Sequence, residues 1–223
     1  AFGGPDEARG NFLPIQIAIN FSMTSFLTTG GIRGHNKKMI SKFYPRSHNM
    51  GVKKTLFEKI GGFGSLRHGQ DIELSNRIIN EQAVVKLLDN AIVYHRRRTT
   101  LLKFFRQVFN WGVARVNLAK MDRNMLQIVH FLPSIATSIF FFSIFGIFFY
   151  PNIFISLVYL YFMILSAICI YGGLKTNNIK VLFNLFLVIP FQILGYGLGF
   201  ILAFIKRFIF GQSSFTGFEK KYY

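Results

Sequence analysis

The sequence predicts an α/β fold over residues 1–123, followed by an α-helical transmembrane region over residues 124–223. Charge separates the two parts: the first carries 20 Lys and Arg and 8 Asp and Glu, whereas the second carries 6 and 1. The second part has no Asp, Glu, Lys or Arg between residues 124 and 174 or between 181 and 205. The first part alternates helix-like and strand-like patterns, which is typical of α/β domains.

Three hydrophobic segments predict the membrane region. They cover residues 128–150, 153–171 and 181–205, and a short basic tail follows the last of them. About 20 apolar residues are enough for a helix to cross a bilayer, so we expect an integral membrane protein. In the third segment Pro190 and three nearby glycines leave two possibilities open, a kinked single span or a re-entrant hairpin.

Basic residues just before the first hydrophobic segment predict the side of the membrane on which the first part lies. They are Arg96, Arg97, Arg98, Lys103, Arg106, Arg115, Lys120 and Arg123. Because Lys and Arg accumulate on the cytoplasmic side, we expect a plasma (inner) membrane protein whose residues 1–123 are cytoplasmic. A full third span would put the basic tail on the other side, against the same rule.

Periodicity and turn residues predict the elements of the first part. Helices are expected at residues 13–27, 54–60, 71–80 and 100–120, β-segments at 84–88 and 91–94, and a strand or turn at 47–52. The last helix has an apolar and a basic face, as a helix in the headgroup plane does. So few strands imply an incomplete sheet, and the chain begins with Ala1 rather than Met, so we expect the other half of the domain upstream.

Five short motifs follow one another along the chain. They are Gly3-Gly4-Pro5-Asp6, Asn49-Met50-Gly51 ahead of Gly61-Gly62-Phe63, Gln70-Asp71, His95, and Gln107-Val108-Phe109-Asn110-Trp111. In this order the chain resembles, over nearly all of its length, the C-terminal part of a membrane-bound family 2 glycosyltransferase. The resemblance implies that residues 1–123 are the acceptor-side half of a GT-A (nucleotide-diphospho-sugar transferase-like) domain and that the remainder is its membrane anchor.

The resemblance also implies roles for individual residues. Asp71 stands where the family has its catalytic base, and His95 matches a histidine that helps to hold a divalent metal, Mg or Mn, completed by residues outside this chain. The implied substrate-binding residues are Asn49, Gly61, Gly62, Gln70, Arg106, Gln107 and Trp111. Two positions depart from the pattern: Gln70 replaces an acid, and Asn110 replaces the arginine of a Gln-x-x-Arg-Trp motif, which leaves Arg106 to supply a cation. The family's Asp-x-Asp donor site does not occur in this sequence.

The chemistry of these residues fits the implied roles and leaves simpler ones open. Inverting glycosyl transfer needs a base for the acceptor hydroxyl, and Asp71 can be that base or merely cap a helix. Glu73 faces away from it and is expected to be solvated or ion-paired. Gln107 and Trp111 share a helical face, where Trp111 is an acceptor contact or an interfacial anchor. The Gly61-Gly62 pair either admits the acceptor or ends a helix.

The predicted function is transfer of a sugar from a nucleotide-sugar donor to a lipid-linked or polysaccharide acceptor, with membrane lipids and polysaccharide assembly or export proteins as further partners. The alternative is a non-enzymatic polybasic membrane anchor or assembly subunit of a glycan synthesis or export complex. A transporter or channel is disfavoured because the predicted spans hold no acidic or basic residue apart from His130 near an edge. The net charge of +17 does not indicate nucleic-acid binding, because the basic residues cluster beside the membrane, where anionic headgroups account for them.

Overall fold

Helices dominate the computed structural model, which describes residues 1–30 and 43–218. Of the described residues 64% are helical and only 6% lie in strands, and most of the structure is a helical bundle. The predicted α/β, partial GT-A fold is therefore wrong. The β-segments expected at residues 84–88 and 91–94 contribute only two residues each to a ladder. Strands of that length cannot form a sheet that helices cover on both faces.

The chain folds as two compact units. The N-terminal unit comprises Ala1–Phe12 with Asn20–Arg97, and the membrane unit comprises Leu13–Ile19 with Arg98–Tyr223. The basic segment after Arg97 therefore belongs to the same unit as the hydrophobic helices.

Two small ladders organise the N-terminal unit. Strand β1 (Phe2–Gly3) and strand β2 (Asp6–Glu7) lie at the start of the chain. Strand β1 pairs antiparallel with β3 (Met50–Gly51) and parallel with β4 (Lys86–Leu87), in the order β3-β1-β4. Strand β2 pairs in parallel with β5 (Val93–Tyr94). The first seven residues thus tie together segments from distant parts of the sequence.

The glycines of the first motif allow these ladders to form. In the second ladder Asp6 opposes Val93, and the chain reaches that register through Gly4. A Cβ atom at Gly4 would overlap the backbone carbonyl of Ala91. Only glycine permits so close an approach of two backbones.

Four helices lie between strands β2 and β4 along the chain. Helix α1 (Pro14–Thr24) begins in the segment assigned to the membrane unit, whereas α2 (Phe26–Thr29), α3 (Lys54–Lys59) and α4 (Gln70–Asn80) lie in the N-terminal unit. The apolar residues that α4 buries are Ile72, Leu74 and Ile78. Helix α4 begins one residue before the predicted start, and its first turn holds two acids, Asp71 and Glu73.

The membrane unit is a bundle of long helices. They are α5 (Leu101–Met121), α6 (Leu132–Gly146), α7 (Pro151–Thr176) and α8 (Ile179–Phe204), with 3-10 turns at Arg123–Met125 and Ile128–Phe131 and a π-helical turn at Ile205–Ile209. Within the described residues, the segments long and apolar enough to cross a membrane are Ile128–Gly146, Pro151–Thr176 and Ile179–Ile209. These three segments indicate a membrane protein.

The surface of these helices agrees with that conclusion. Only 11% of the most apolar window of Pro151–Thr176 is buried, so most of its apolar surface is available to lipid. The third segment is one continuous helix with Pro190 inside it. It is therefore not divided into a re-entrant hairpin.

Small residues bring α5 and α8 together. A Cβ atom at Gly112 of α5 would overlap the backbone of Tyr196, and one at Gly199 of α8 would overlap the backbone of Phe109. Small residues at a helix crossing let two backbones approach closely. The buried apolar residues of this contact are Phe109, Val113, Val116, Phe200 and Ala203. Helix α5 is thus a packed member of the bundle as well as a carrier of basic residues.

Candidate active site

Asp71 lies in the first turn of α4. Gly69, in the left-handed conformation with φ 84°, is the N-cap residue, so Asp71 is not. The Asp71 Oδ1 atom accepts a hydrogen bond from the Ile72 N–H at 2.9 Å, and 20% of its side chain is exposed. Gln70, the first helical residue, is half-buried. The Asp71 carboxylate therefore supports the start of the helix and still reaches the surface.

Arg46 is the charged neighbour of Asp71. Its Nη1 atom lies 3.6 Å from the Asp71 Oδ2 atom, which is longer than a direct hydrogen bond. The Arg46 side chain is only 9% exposed. The Ser75 hydroxyl of α4 donates to the Asp71 carbonyl at 2.6 Å and lies 3.4 Å from the Pro45 carbonyl, so the residue before Arg46 lies near the helix. A buried guanidinium thus lies beside a partly exposed carboxylate.

Glu73 is ion-paired, which is one of the two alternatives predicted for it. It is buried and accepts hydrogen bonds from Arg77 Nε at 2.6 Å and Arg77 Nη2 at 2.9 Å. Arg77 also donates to the carbonyls of Ile60 and, at 2.6 Å, Gly62. Both Gly61 and Gly62 have positive φ. The glycine pair therefore ends α3 and is fixed to α4 by Arg77, while its contact with an acceptor stays a prediction.

A tight turn at residues 46–49 links this region to a second acid. The Asn49 N–H donates to the Arg46 carbonyl at 2.7 Å and closes the turn. The Asn49 Nδ2 atom donates to the Ala91 carbonyl, also at 2.7 Å, so this predicted substrate-binding residue holds the chain before β5. The same turn carries Arg46 and His48, each of which pairs with an acid.

The second acid, Asp6, forms a deeper ionic cluster. His48 Nε2 lies 2.7 Å from Asp6 Oδ1, and both terminal nitrogens of Arg97 lie 3.4 Å from Asp6 Oδ2. The side chains of Asp6 and Arg97 are 1% and 3% exposed. Burial lowers the pKa of Arg97, and the charge and hydrogen bonds of Asp6 oppose that shift. Because this carboxylate is enclosed, it cannot meet a substrate as Asp71 can.

His95, the predicted metal ligand, lies beside this cluster. Its ring centroid is 4.6 Å from that of His48, and its backbone N–H donates to the Glu7 carbonyl at 3.0 Å. Among the described residues no three His, Cys, Asp or Glu side chains are grouped so as to hold a metal ion. The described part of the chain therefore does not complete a metal site around His95, whose role as a ligand stays a prediction.

The remaining predicted site residues lie on α5, in the membrane unit rather than the N-terminal unit. Arg106, Gln107 and Trp111 are all half-buried. Gln107 and Trp111 are about one helical turn apart, as predicted from their spacing. Their contact with an acceptor stays a prediction.

Asn110 occupies the motif position where an arginine was expected, and it is fully buried. Its Nδ2 atom donates to the Phe218 carbonyl at 3.3 Å, and its Oδ1 atom accepts from the Phe218 N–H at 2.9 Å. Farther along α5, Asn117 donates to the Phe215 carbonyl at 2.7 Å. We call residues 213–218 the C-terminal strap, because these bonds fasten the segment along α5.

Ring contacts strengthen the attachment of the C-terminal strap. The Phe218 ring packs against Phe109 with centroids 4.8 Å apart, and the Arg106 guanidinium carbon lies 5.7 Å from the Phe218 centroid. Gly217 has φ +72°, and a Cβ atom there would overlap the Asn110 side chain. The strap thus contacts Arg106, one of the predicted substrate-binding residues.

Sequence reasoning missed several residues of this region. One of them is His48, which pairs with Asp6. The signal was available: the chain has only nine acids, so Asp6 needed a basic partner just as Asp71 did. The sequence does not name His48 or Arg46 as these partners, because each lies in a different element from its acid.

Comparison with known proteins adds one result. The family model of glycosyl transferase family 21 matches residues 44–212, a range that contains Arg46, Asp71 and the membrane helices. Neither the curated proteins nor the solved structures give a match. The prediction of a glycosyltransferase is confirmed in general, whereas the narrower resemblance to family 2 stays a prediction. The chain belongs to glycosyl transferase family 21.

Proposed function

We propose that this protein transfers a sugar from a nucleotide-sugar donor to a lipid-linked or polysaccharide acceptor at the cytoplasmic face of the membrane, with inversion at the anomeric carbon. The observation that carries the proposal is the position of Asp71, a partly exposed carboxylate in the first turn of α4. The family match over residues 44–212 supports the reaction class.

Asp71 acts as the general base in this proposal. It takes the proton of the acceptor hydroxyl while that oxygen forms a bond to the anomeric carbon of the sugar. On the opposite face of the sugar, the bond to the diphosphate breaks, and its electron pair leaves with the nucleoside diphosphate. One displacement of this kind inverts the anomeric configuration, because attack and departure occur on opposite faces.

The departing diphosphate needs positive charge near it. We propose a divalent metal, Mg or Mn, with His95 as one ligand and the other ligands from residues outside this chain. Such a metal would neutralise charge that develops on the leaving oxygen. The half-buried Arg106, Gln107 and Trp111 are proposed to contact the substrates from α5.

The distribution of charge supports the cytoplasmic position of the reaction. The segment from Arg96 to Arg123 carries eight basic residues and one acid, Asp122, ahead of the first hydrophobic helix. Such a segment is favoured on the cytoplasmic side, where the membrane surface is negative. Nucleotide sugars and this part of the enzyme would then share one compartment.

A transfer assay tests the proposal. Membranes that contain the native full-length protein are incubated with a panel of radiolabelled nucleotide sugars, and label is counted in lipid extracts and in polymer. We expect transfer from one donor and a product whose anomeric configuration, determined by NMR, is opposite to that of the donor. Retention would contradict a single displacement with Asp71 as base.

The same membranes test the alternative function, a non-enzymatic polybasic membrane anchor. If no donor is used, and if neutralisation of Arg96 and Arg98 removes a preference of the protein for anionic over neutral vesicles, the anchor function replaces the enzymatic one. Arg97 stays unchanged in this test, because it is buried in the ion pair with Asp6.

A further inference from the structure

Arg46 is a buried cation whose contacts do not account for its burial. The residue is 8% exposed, and its ion pair with Asp71 spans 3.6 Å. Its Nε atom is buried and has no hydrogen-bond partner among the residues that the structure describes. In the same unit the Nε atoms of Arg77 and Arg97 are bonded, to Glu73 at 2.6 Å and to Asn20 at 3.0 Å. Arg46 therefore differs from Arg77 and Arg97, whose Nε atoms have hydrogen-bond partners.

Such an arrangement costs stability. A buried charge must lose its hydration, and an unsatisfied buried donor adds a further penalty. Even well-bonded buried ion pairs are weak contributors to stability, and an apolar residue of similar volume often serves as well or better. Positions where a local rule is broken in this way are typical of functional sites. The burial of Arg46 therefore calls for a role other than holding the fold together.

The geometry points to that role. One oxygen of Asp71 is fixed by the Ile72 N–H at 2.9 Å, and the other faces the Arg46 guanidinium. These two constraints act on opposite oxygens and so restrict rotation of the carboxylate. The exposed fifth of the Asp71 side chain is then presented in a defined direction.

We propose that Arg46 is the positioning residue of Asp71: its buried charge holds the carboxylate oriented so that it meets the acceptor hydroxyl. This proposal rests on the proposed function, since it assigns Arg46 to the base of that reaction. Arg46 does not touch the reacting atoms; it acts through Asp71.

The first part of the test measures stability and does not depend on turnover. In the purified full-length protein, Asp71→Asn should lower the Tm by about 2–5 °C, because it leaves the Arg46 charge buried without a counter-ion. Arg46→Met should leave the Tm unchanged or raise it, and the double variant should recover the loss. Arg67→Met and Asp89→Asn, the same substitutions at exposed positions, serve as controls. A Tm that falls as far in Arg46→Met as in Asp71→Asn would show a merely structural arginine.

The second part separates positioning from binding. Arg46→Met should lower kcat by about 10- to 100-fold, the cost of a misplaced base, with the KM for the donor within about twofold of wild type. Arg46→Lys, which keeps the charge, should regain part of the lost kcat. An increase in KM with unchanged kcat would overturn the proposal.

A double-mutant cycle then tests whether Arg46 works through Asp71. In the Asp71→Asn background, Arg46→Met should cause no further loss of rate. If the two losses multiply instead, Arg46 acts independently and only the positioning role fails. If Asp71→Asn alone keeps its turnover, the proposed function itself fails, and the positioning role with it.

Discussion

Asp71 and Asp6 show how two carboxylates of one unit come to differ. Asp6 is 1% exposed and is held by His48 and Arg97, whereas Asp71 is 20% exposed and faces Arg46 at 3.6 Å. An enclosed and fully paired acid supports the fold, and a partly exposed acid can meet a substrate. The difference lies in which side chains surround each acid, so it is not readable from the motifs in which the two acids occur.

The enclosed cluster leads to a prediction about stability. Asp6→Asn should destabilise the protein by about 3–5 kcal/mol, because it leaves the Arg97 charge buried without its partner. Denaturant unfolding of the purified protein measures the change. Glu7→Gln, at the exposed neighbouring position, should change the free energy of unfolding by less than about 0.5 kcal/mol. Equal effects of the two substitutions would show that the ion pair contributes nothing.

The sequence could locate Asp71 but not its environment. The order of short motifs was enough to single out Asp71 among nine acids. The loose contact with Arg46 depends on how the turn at residues 46–49 folds against α4, and no local pattern encodes that. The environment of Glu73 was easier to predict than that of Asp71. Its partner Arg77 lies one helical turn away on α4, where i,i+4 pairs are expected.

Among the elements, α5 and the C-terminal strap were the least predictable. The helix itself was expected from its periodicity, and its basic face was expected to lie in the headgroup plane. Asn110 and Asn117 instead bond the strap, which comes from the far end of the sequence. Buried asparagines with such distant partners look like surface residues when only the sequence is available.

Gly217 gives a prediction about this strap. Gly217→Ala should detach residues 213–218 from α5, because alanine disfavours φ +72° and its Cβ would overlap Asn110. We expect a loss of about 1–3 kcal/mol in stability and faster proteolysis within the strap.

Gly211→Ala is the matched control for that prediction. Gly211 also has positive φ, but a Cβ there meets nothing within 4 Å. The Gly211→Ala variant therefore measures the effect of backbone strain alone. Equal proteolysis of the two variants would contradict a strap held against Asn110.

The short strands explain why the element order misled the fold class. Runs such as residues 84–88 have the composition of a strand, yet only Lys86–Leu87 find a ladder partner. Strand patterns report local preference, whereas sheet formation depends on long-range pairing. A helix forms its backbone hydrogen bonds within its own segment and needs no distant strand. All three long apolar helices were therefore predicted from composition.

For the whole molecule, composition predicted the membrane region better than it predicted the division into units. The runs without charged residues, 124–174 and 181–205, located the apolar helices. They could not show that α5 packs with α8, because that contact depends on Gly112 and Gly199 rather than on hydrophobicity. The two units therefore divide at Arg97 and Arg98, ahead of the change in composition.

We propose that this family 21 chain transfers a sugar with Asp71 as its base. The most direct measurement is the rate of sugar transfer by full-length wild-type, Asp71→Asn and Asp89→Asn proteins, compared at equal amounts of folded protein in the membrane. We predict that Asp71→Asn loses about 10²- to 10⁴-fold in kcat, the usual contribution of a general base, while Asp89→Asn keeps the wild-type rate. Near-normal turnover in Asp71→Asn would contradict the account.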